Sequence, residues 1–478
     1  MPADSRVLAE RVFTPADLAA FAELSGDYNP LHVDPVAARR THFGDCIVHG
    51  VFLLAWALES LEQATARHTA WASVSVRFLR PVVVGTAVSV GAEESHDGRV
   101  TLTLTASGRT AMRCDVTFAA AVAASTAMVR ATLPPREPPA AIPLESWTDD
   151  EHRLELCWSA PHGRCLFPAL TTFQSDSALA AMLATTRIVG MKIPGRDSVF
   201  LQLDLMFTPG AEADEAVTYR LMKYQKSTQR IAVAVSSAAG HGTLWALARP
   251  APTSQAAMEE VKRSVRPGCF AGRHVLVVGG SRGLGELTAK ILAAGGATVT
   301  LTYRLGEDDA ARVVGDIRKH GGSADAFQFD IESDSRDRML SEHASGADHV
   351  CYFATPPILD GDGETMSGPL FERYARVYVS GLIHLAQWLA GQTSGQFFLF
   401  NASSVYVETP PIRQLEYAAA KASSEACCRW LKVAHPRATI HVARLPRLLT
   451  DQTASFLSSN EHDNLSTVLA ELSSWLSA

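Results

Sequence analysis

Three hydrophobic rhythms follow one another along the chain. Residues 51–67, VFLLAWALESLEQATAR, start apolar and turn amphipathic, which predicts a helix whose first turn is buried. The stretches ASVSVRFLRPVVVG, VTLTLTASG and CDVTFAAAV then alternate apolar with polar positions, as half-buried antiparallel strands do. One helix wrapped by a curved sheet is expected. The pattern returns once: FQSDSALAAMLATTRIVGM resembles the first helix, and SVFLQLDLMFTPG resembles SVSVRFLRPVVVG. Gly50 precedes Pro81 by 31 positions and Ser177 precedes Pro209 by 32. Further strands are expected in VTYRLMKYQKSTQRIAVAVSSAAGHGTLWALARP. From residue 273 the rhythm changes. HVLVVGGSRGLGELTAKILAAGGATVTLTYR runs as an apolar strand, a Gly-rich turn, a helix and a second apolar strand, the start of a doubly wound parallel sheet. Stretches rich in Pro and charge separate the parts. Residues 133–150, LPPREPPAAIPLESWTDD, read as a linker opening a unit that ends at 250, and residues 251–272 as a second linker.

Composition changes this picture little. A chain of 478 residues suits about three domains of roughly 150 residues, and 47% hydrophobic with 19% charged residues describes an ordinary globular protein. A net charge of -7 argues against a nucleic-acid binder, while a local basic patch could still accept an anionic carrier. Eight scattered cysteines, with Cys427 and Cys428 adjacent and no CxxC pair, suggest neither a disulfide framework nor a metal site, and fit a reducing cytoplasm. The N-terminus, MPADSRVLAERVF, lacks a signal pattern, and no run approaches the ~18 apolar residues of a membrane span. A soluble protein with no membrane partner is expected.

Chemistry concentrates in FAELSGDYNPLHVDPVAA, residues 21–38. Within six positions stand Asp27, Asn29, Pro30 and His32, preceded by Ser25-Gly26 to bend the backbone. Asp and His in one turn-rich loop suit proton transfer near neutral pH, and Asn29 with Pro30 would fix the loop. Asp, Asn and Ser are also good helix caps, and Pro opens a first turn, but caps do not account for His32. Gly50, at a helix N-terminus, would aim backbone N–H groups at a carbonyl oxygen, or else merely permit close packing.

The run resembles the signature of the MaoC-like (R)-specific enoyl-CoA hydratases: an aromatic, S-G-D-x-N-P-L-H, and a small residue six positions after the His, here Ala38. FGDCIVHG, residues 43–50, continues the likeness into the central helix. The resemblance implies a hot-dog fold over residues 1–132, with Asp27 and His32 activating the water exchanged with an enoyl thioester, Asn29 holding the loop and Gly50 contributing an oxyanion hole. It also implies a second, diverged hot-dog over 133–250. That repeat has no D-x-N-P-x-H, so its chemistry is expected to be lost and its role to be shaping an acyl tunnel; His162, in APHGRCLFPAL, is either a relic or a loop residue.

The third unit carries two motifs. Gly279, Gly283 and Gly285 let the backbone approach a pyrophosphate at a helix N-terminus. Ser404 is followed by Tyr417 after 13 positions and by Lys421 after four more. Tyr and Lys at i and i+4 share a helix face, where the ammonium would lower the phenol pKa. Together with GGSRGLG this resembles the short-chain dehydrogenase/reductase family, implying a Rossmann fold over 273–478. The resemblance implies that Ser404 orients a carbonyl, Tyr417 passes the proton and Lys421 also holds the nicotinamide ribose. Gly279, Ser281, Arg282, Gly283, Leu284, Gly285, Tyr303, Arg304, Asp330 and Ala354 then line the cofactor, Asp330 on the adenine side. Val278 replaces the usual Thr, YFAT at 352–355 replaces N-N-A-G, Tyr378 or a neighbour stands where an Asn is usual, and ARLPRLLTDQT lacks the usual Pro-Gly. At the end of the second strand Tyr303-Arg304, with Arg282 in the Gly turn, favours a 2′-phosphate and hence NADPH, although Glu307 and Asp308 follow closely.

The fold expected is an α+β double hot-dog followed by an α/β Rossmann domain. The resulting reading is a bifunctional enzyme, expected as a homo-oligomer (a dimer), acting on a coenzyme A or acyl-carrier-protein thioester. The reductase would make a 3-hydroxyacyl thioester and the hydratase/dehydratase would interconvert it with the 2-enoyl thioester, in polyketide- or fatty-acid-like biosynthesis. Two rivals stay open: hydration followed by NAD-linked oxidation, and a scaffold with an inactive domain.

Overall fold

A computed structural model describes residues 6–65, 69–119, 130–141, 143, 146–211, 215–361, 363–454 and 462–477. The chain separates into two compact units, with the main boundary between Ala251 and Pro252.

The first unit opens with β1 (Arg6–Val12), α1 (Pro15–Ser25), α2 (Pro30–Val33), α3 (Pro35–Ala38) and α4 (Gly50–Thr65), followed by β2 (Trp71–Phe78), β3 (Ala87–Glu94), β4 (Val100–Ala106) and β5 (Arg109–Phe118). It continues with β6 (His152–Glu155), α5 (Ala160–Leu166), α6 (Leu170–Phe173), α7 (Asp176–Arg187), β7 (Ser198–Phe207), β8 (Ala216–Gln225), β9 (Arg230–Ser237) and β10 (Gly240–Ala248). All ten strands form one sheet in the order β1-β3-β4-β5-β2-β7-β10-β9-β8-β6. Each half thus has the same order, first-third-fourth-fifth-second, and the halves join through the antiparallel β2–β7 pair. Strand β4 displays the period of two that builds the core: Val100, Leu102 and Leu104 are buried, while the intervening threonines face outward.

Helix α4 differs from expectation. It is buried from Val51 to Glu62, and only its last three residues are exposed. Two carboxylates are carried inside, and Glu59 is satisfied by the N–H groups of Ala169 and Leu170 at 3.0 and 2.8 Å. The Pro-rich stretch is also more than a linker. Pro134 lies against Gly26, Ala140 exchanges hydrogen bonds with Met191 and Arg196, and the Arg136 guanidinium lies 4.7 Å over the Tyr28 ring.

The second unit contains α8 (Met258–Ser264), β11 (His274–Val278), α9 (Gly283–Ala294), β12 (Thr298–Tyr303), α10 (Glu307–Lys319), β13 (Ser323–Gln328), α11 (Arg336–His343), β14 (His349–Tyr352), α12 (Gly368–Ala375), α13 (Leu382–Gln392), β15 (Phe397–Ser404), α14 (Leu415–Ala434), β16 (Ala438–Leu445) and α15 (Asn464–Ser477). Its parallel sheet runs β13-β12-β11-β14-β15-β16. The order reverses between β11 and β14, and in such sheets ligands bind outside the strand ends at that switch. The supposed second linker belongs to this core: Met258, Val261, Val265 and Phe270 are buried among its residues.

Candidate active sites

The first site begins at a helix end. Thr14 and Asp17 form a capping box on α1, and Gly26, at φ 75°, ends it with its N–H donating to the Ala22 carbonyl. A Cβ at Gly26 would stand 2.6 Å from Pro134 Cβ, so any side chain is excluded there twice over. The turn then buries Asp27. Asn29 caps α2, its Oδ1 accepting from the Leu31 N–H at 3.0 Å, while its Nδ2 donates to the carbonyls of Gly190 and Gly195 at 2.9 and 3.1 Å. The capping and functional readings of this run are therefore both realised, and Asn29 does more than hold its own loop.

His32 lies beside Asp27, with Nδ1 2.7 Å from the Ile47 carbonyl oxygen. A carbonyl only accepts, so Nδ1 carries the proton and the neutral ring presents Nε2 as a base. Burial raises the Asp27 carboxyl above its ordinary value, against the opposing charge of His32 and hydrogen bonds from Thr186 and Asn29. Burial lowers His32, against the Asp27 charge. Both groups thus move toward neutrality, as an acid/base pair needs.

Sequence reasoning missed three contributors. His49 donates Nε2–H to the Asp27 backbone carbonyl at 3.0 Å, and its ring is stacked on His32 at 3.8 Å. Thr186, on α7, donates to Asp27 Oδ2 at 2.6 Å, and Asn29 N–H donates to Oδ1 at 3.1 Å. Gly190 lies in the π-helical turn Ile188–Lys192, where a Cβ would stand 2.3 Å from Asp27 Oδ1. The signals were the polar TTR break in an apolar helix for Thr186 and the run FGDCIVHG for His49. Ligand-capable atoms of Asp27, His32 and His49 lie within 4.8 Å of one another. The two rings lie face to face, however, so their in-plane lone pairs run alongside each other instead of converging as metal ligation requires. Gly50 starts α4 as expected, and a Cβ there would lie 3.1 Å from the Phe78 ring, so close packing holds as well. His162 is exposed on α5 and paired with Ser159 at 2.7 Å, away from this cluster.

In the second unit β15 ends at Ser404, and α14 carries Tyr417 and Lys421. The Lys421 ammonium nitrogen donates to the Ala402 carbonyl at 2.6 Å and lies 3.9 Å over the Tyr378 ring, but 5.9 Å from the centre of Tyr417. This corrects one expectation. Tyr417 is pushed up to about 12 by burial, partly opposed by a hydrogen bond with Ser404, and Lys421 is pushed down to about 7 by burial. Lys421 makes its closest contacts with a carbonyl and a neighbouring ring, and burial sets the net upward shift of the phenol. Tyr378 occupies the π-helical turn Arg376–Gly381, and its hydroxyl meets Thr355 Oγ1 at 2.5 Å.

The Gly turn bends as the motif requires. Gly279 has φ 80°, and a Cβ there would lie 3.0 Å from the Ala354 nitrogen. A Cβ on Gly285 would lie 2.2 Å from the Gly279 carbonyl oxygen, whereas Gly283 has nothing nearer than a Thr450 methyl at 3.6 Å. Backbone is thus packed on one side of the turn and open on the other, which suits a pyrophosphate beside Ser281, Leu284 and the start of α9. The side chain of Arg282 is already engaged: it pairs with Asp451 and, at 3.2 Å, with Asp309. Arg304 is exposed just beyond β12, after Tyr303. Asp330 stands two residues past the end of β13 and accepts from the Glu332 N–H at 3.0 Å.

Comparison with known proteins adds relatives for both units. The chain is 42% identical over 83 residues to an (R)-specific enoyl-CoA hydratase of Aeromonas caviae, covering 17% of this chain and 61% of the relative. It is 37% identical over 92 residues to the short chain dehydrogenase/reductase AacuN of Aspergillus aculeatus, covering 18% and 35%. A solved structure of the angucycline C-6 ketoreductase LanV with bound NADP aligns at TM-score 0.34 and 24% identity, over 38% of this chain and 74% of that one. The chain spans 27% of Protein MaoC of Klebsiella aerogenes, and the hydratase relatives are thus matched only in part. Residues 2–111 match the MaoC like domain and residues 273–461 the short chain dehydrogenase domain, so one polypeptide carries a MaoC-like domain and a short-chain dehydrogenase domain.

Proposed function

We propose that the chain is a bifunctional acyl-thioester enzyme, which reduces a 3-ketoacyl thioester with NADPH and dehydrates the (R)-3-hydroxyacyl product reversibly to the 2-enoyl thioester. One observation carries the reading: two acid/base constellations, a buried Asp27 with a half-buried His32 and a half-buried Tyr417 with a buried Ser404, each with displaced pKa values, sit in one polypeptide. At the first, His32 Nε2 and the Asp27 carboxylate take a proton at one carbon and return it at the departing hydroxyl; water addition is the reverse. The N–H groups at the start of α4, with Gly50, face the positive end of the helix dipole toward the thioester oxygen. At the second, a phenol held up to about 12 stays protonated at neutral pH, so Tyr417 can give its proton to the oxygen of a carbonyl that Ser404 orients. A bound nicotinamide supplies the hydride.

The duplicated strand order supports a double hot-dog in residues 1–250, with the catalytic loop in the first half. The carrier is coenzyme A or an acyl carrier protein. Free thiols at all eight cysteines accord with a cytoplasmic setting, and no helix among the described residues is long and apolar enough to cross a membrane. The reverse sequence, hydration then NAD-linked oxidation, gains from the pairing of Arg282, which leaves Arg304 as the exposed cation at the strand end.

The test follows products from a 3-ketoacyl thioester and NADPH by mass spectrometry. Wild type is expected to give the 3-hydroxyacyl and then the enoyl thioester. Asp27→Asn should stop at the hydroxyacyl product, with hydration reduced ~10² to 10⁴-fold, and Tyr417→Phe should abolish reduction while hydration survives. A wild-type protein with neither activity is a scaffold.

A further inference from the structure

We propose that Thr186 is a positioning residue of the hydratase site, its hydroxyl holding Asp27 from the half of the ten-stranded unit that lacks the catalytic motif. The inference rests on the hydratase reading above. Two adjacent threonines near the end of α7 make the case. Thr185 turns its hydroxyl back to its own helix, donating to the Met182 carbonyl at 2.6 Å, as a buried helical Thr ordinarily does. Thr186, buried just as deeply, gives that local bond up and donates to Asp27 Oδ2, 159 positions away, at 2.6 Å.

The surroundings are shaped for the same carboxylate. After Thr186 the helix widens into the π turn Ile188–Lys192, a distortion common at functional sites. That turn brings Gly190 so close that even a methyl would collide with Asp27: a Cβ would lie 2.3 Å from Oδ1, 2.7 Å from Cγ and 2.7 Å from Oδ2. Asn29 then ties the catalytic loop to the Gly190 and Gly195 carbonyls. The diverged half thus supplies one donor, one gap and the acceptors that hold Asn29. It completes the first half's site as well as flanking it.

A hydroxyl donating to Asp27 favours the ionised carboxylate over the acid. The other groups facing Asp27 are His32 on α2, His49 ahead of α4, and Arg187 beside Gly26, whose guanidinium is directed to the Glu155 carbonyl at 3.3 Å. None of them replaces the Thr186 donor at Oδ2.

The test compares Thr186→Val, which keeps shape and removes the donor, with Thr186→Ser, which keeps the donor, in the full-length chain, using crotonyl-CoA hydration across pH. Thr186→Val should lower kcat about 10- to 100-fold with little change in KM and move the acidic limb of the profile upward by about one unit, as loss of a hydrogen bond to a charged group implies. Thr186→Ser should recover most of both. Ketoreduction by the same preparations reports whether the chain is folded. A Thr186→Val enzyme with the wild-type limb and kcat overturns the inference while leaving the hydratase reading intact. A slower variant whose limb does not move assigns Thr186 to packing alone, which overturns it too. A wild type that does not hydrate crotonyl-CoA removes the reading beneath both.

Discussion

Asp27 puts function and stability in opposition. Its carboxyl is held above the ordinary value by burial, so the folded protein binds its proton more tightly than the unfolded chain does. Between the unfolded and folded values the native state carries more protons, and stability falls as pH rises across that window; above it the full penalty persists. Asp27→Asn removes the charge, and its amide can still accept from the Asn29 N–H and meet the Thr186 oxygen. The variant should therefore gain in thermal midpoint relative to wild type as pH is raised from 4 to 8, while losing hydration. Melting curves at several pH values decide it: a wild-type advantage that grows with pH would contradict the sign. The same trade-off between a strained site and stability is general. Here it was legible only in part, because sequence shows that Asp27 and His32 are near each other but not that Asp27 is buried with a half-buried His32 against it.

At the scale of elements, what the sequence discloses is period and what it hides is departure from period. Alternation in β4 and the strand–turn–helix of GGSRGLG needed no partner to be read, since each follows from one face of one element. The π turns at Ile188–Lys192 and Arg376–Gly381 could not be read, because a widened turn depends on what packs against it. Those two turns hold Gly190 and Tyr378, so part of each site escaped with them. The pairing of Arg282 escaped for a related reason: Asp451 is 169 positions away. The Gly turn offers a test at this scale. Gly285→Ala would place a methyl 2.2 Å from a backbone oxygen, where no rotamer relieves it, and overpacking of this kind costs about 1–3 kcal/mol. Reduction and cofactor binding should fall at least ~10-fold with hydration unchanged. Gly315, exposed on α10 with open space where a Cβ would stand, is the control: Gly315→Ala should keep both activities and stabilise by up to ~1 kcal/mol. Equal cofactor titrations for the two variants would refute the packing argument.

For the whole molecule, the proposed function leaves direction as the remaining question, and the proposed reductase would decide it. Hydration of an enoyl thioester in dilute water is near balance, so under the proposed function the first unit would follow whatever supply the second provides. That supply depends on which nicotinamide pool the second unit draws on. Arg282 is held by Asp451 and Asp309, so on the proposed function selection of a 2′-phosphate would fall to Arg304, exposed past the end of β12 and followed by Glu307 and Asp308. A cation there favours the phosphate, the two acids oppose it, and the guanidinium's bidentate geometry gives it the advantage. Arg304→Ala should therefore weaken NADPH about tenfold or more while leaving NADH nearly unchanged, erasing the preference. Flux can be tested by mixing. On the proposed function Asp27→Asn should keep a working reductase and Tyr417→Phe a working hydratase, so neither alone should turn a 3-ketoacyl thioester and NADPH into enoyl product. An equimolar mixture should do so after a lag, because the hydroxyacyl thioester released by one chain is the substrate of the other. The wild-type chain should show the same order, hydroxyacyl before enoyl. If the mixture yields no enoyl thioester, or if enoyl thioester with NAD gives the keto compound faster than NADPH reduces it, the chain works in the oxidative direction.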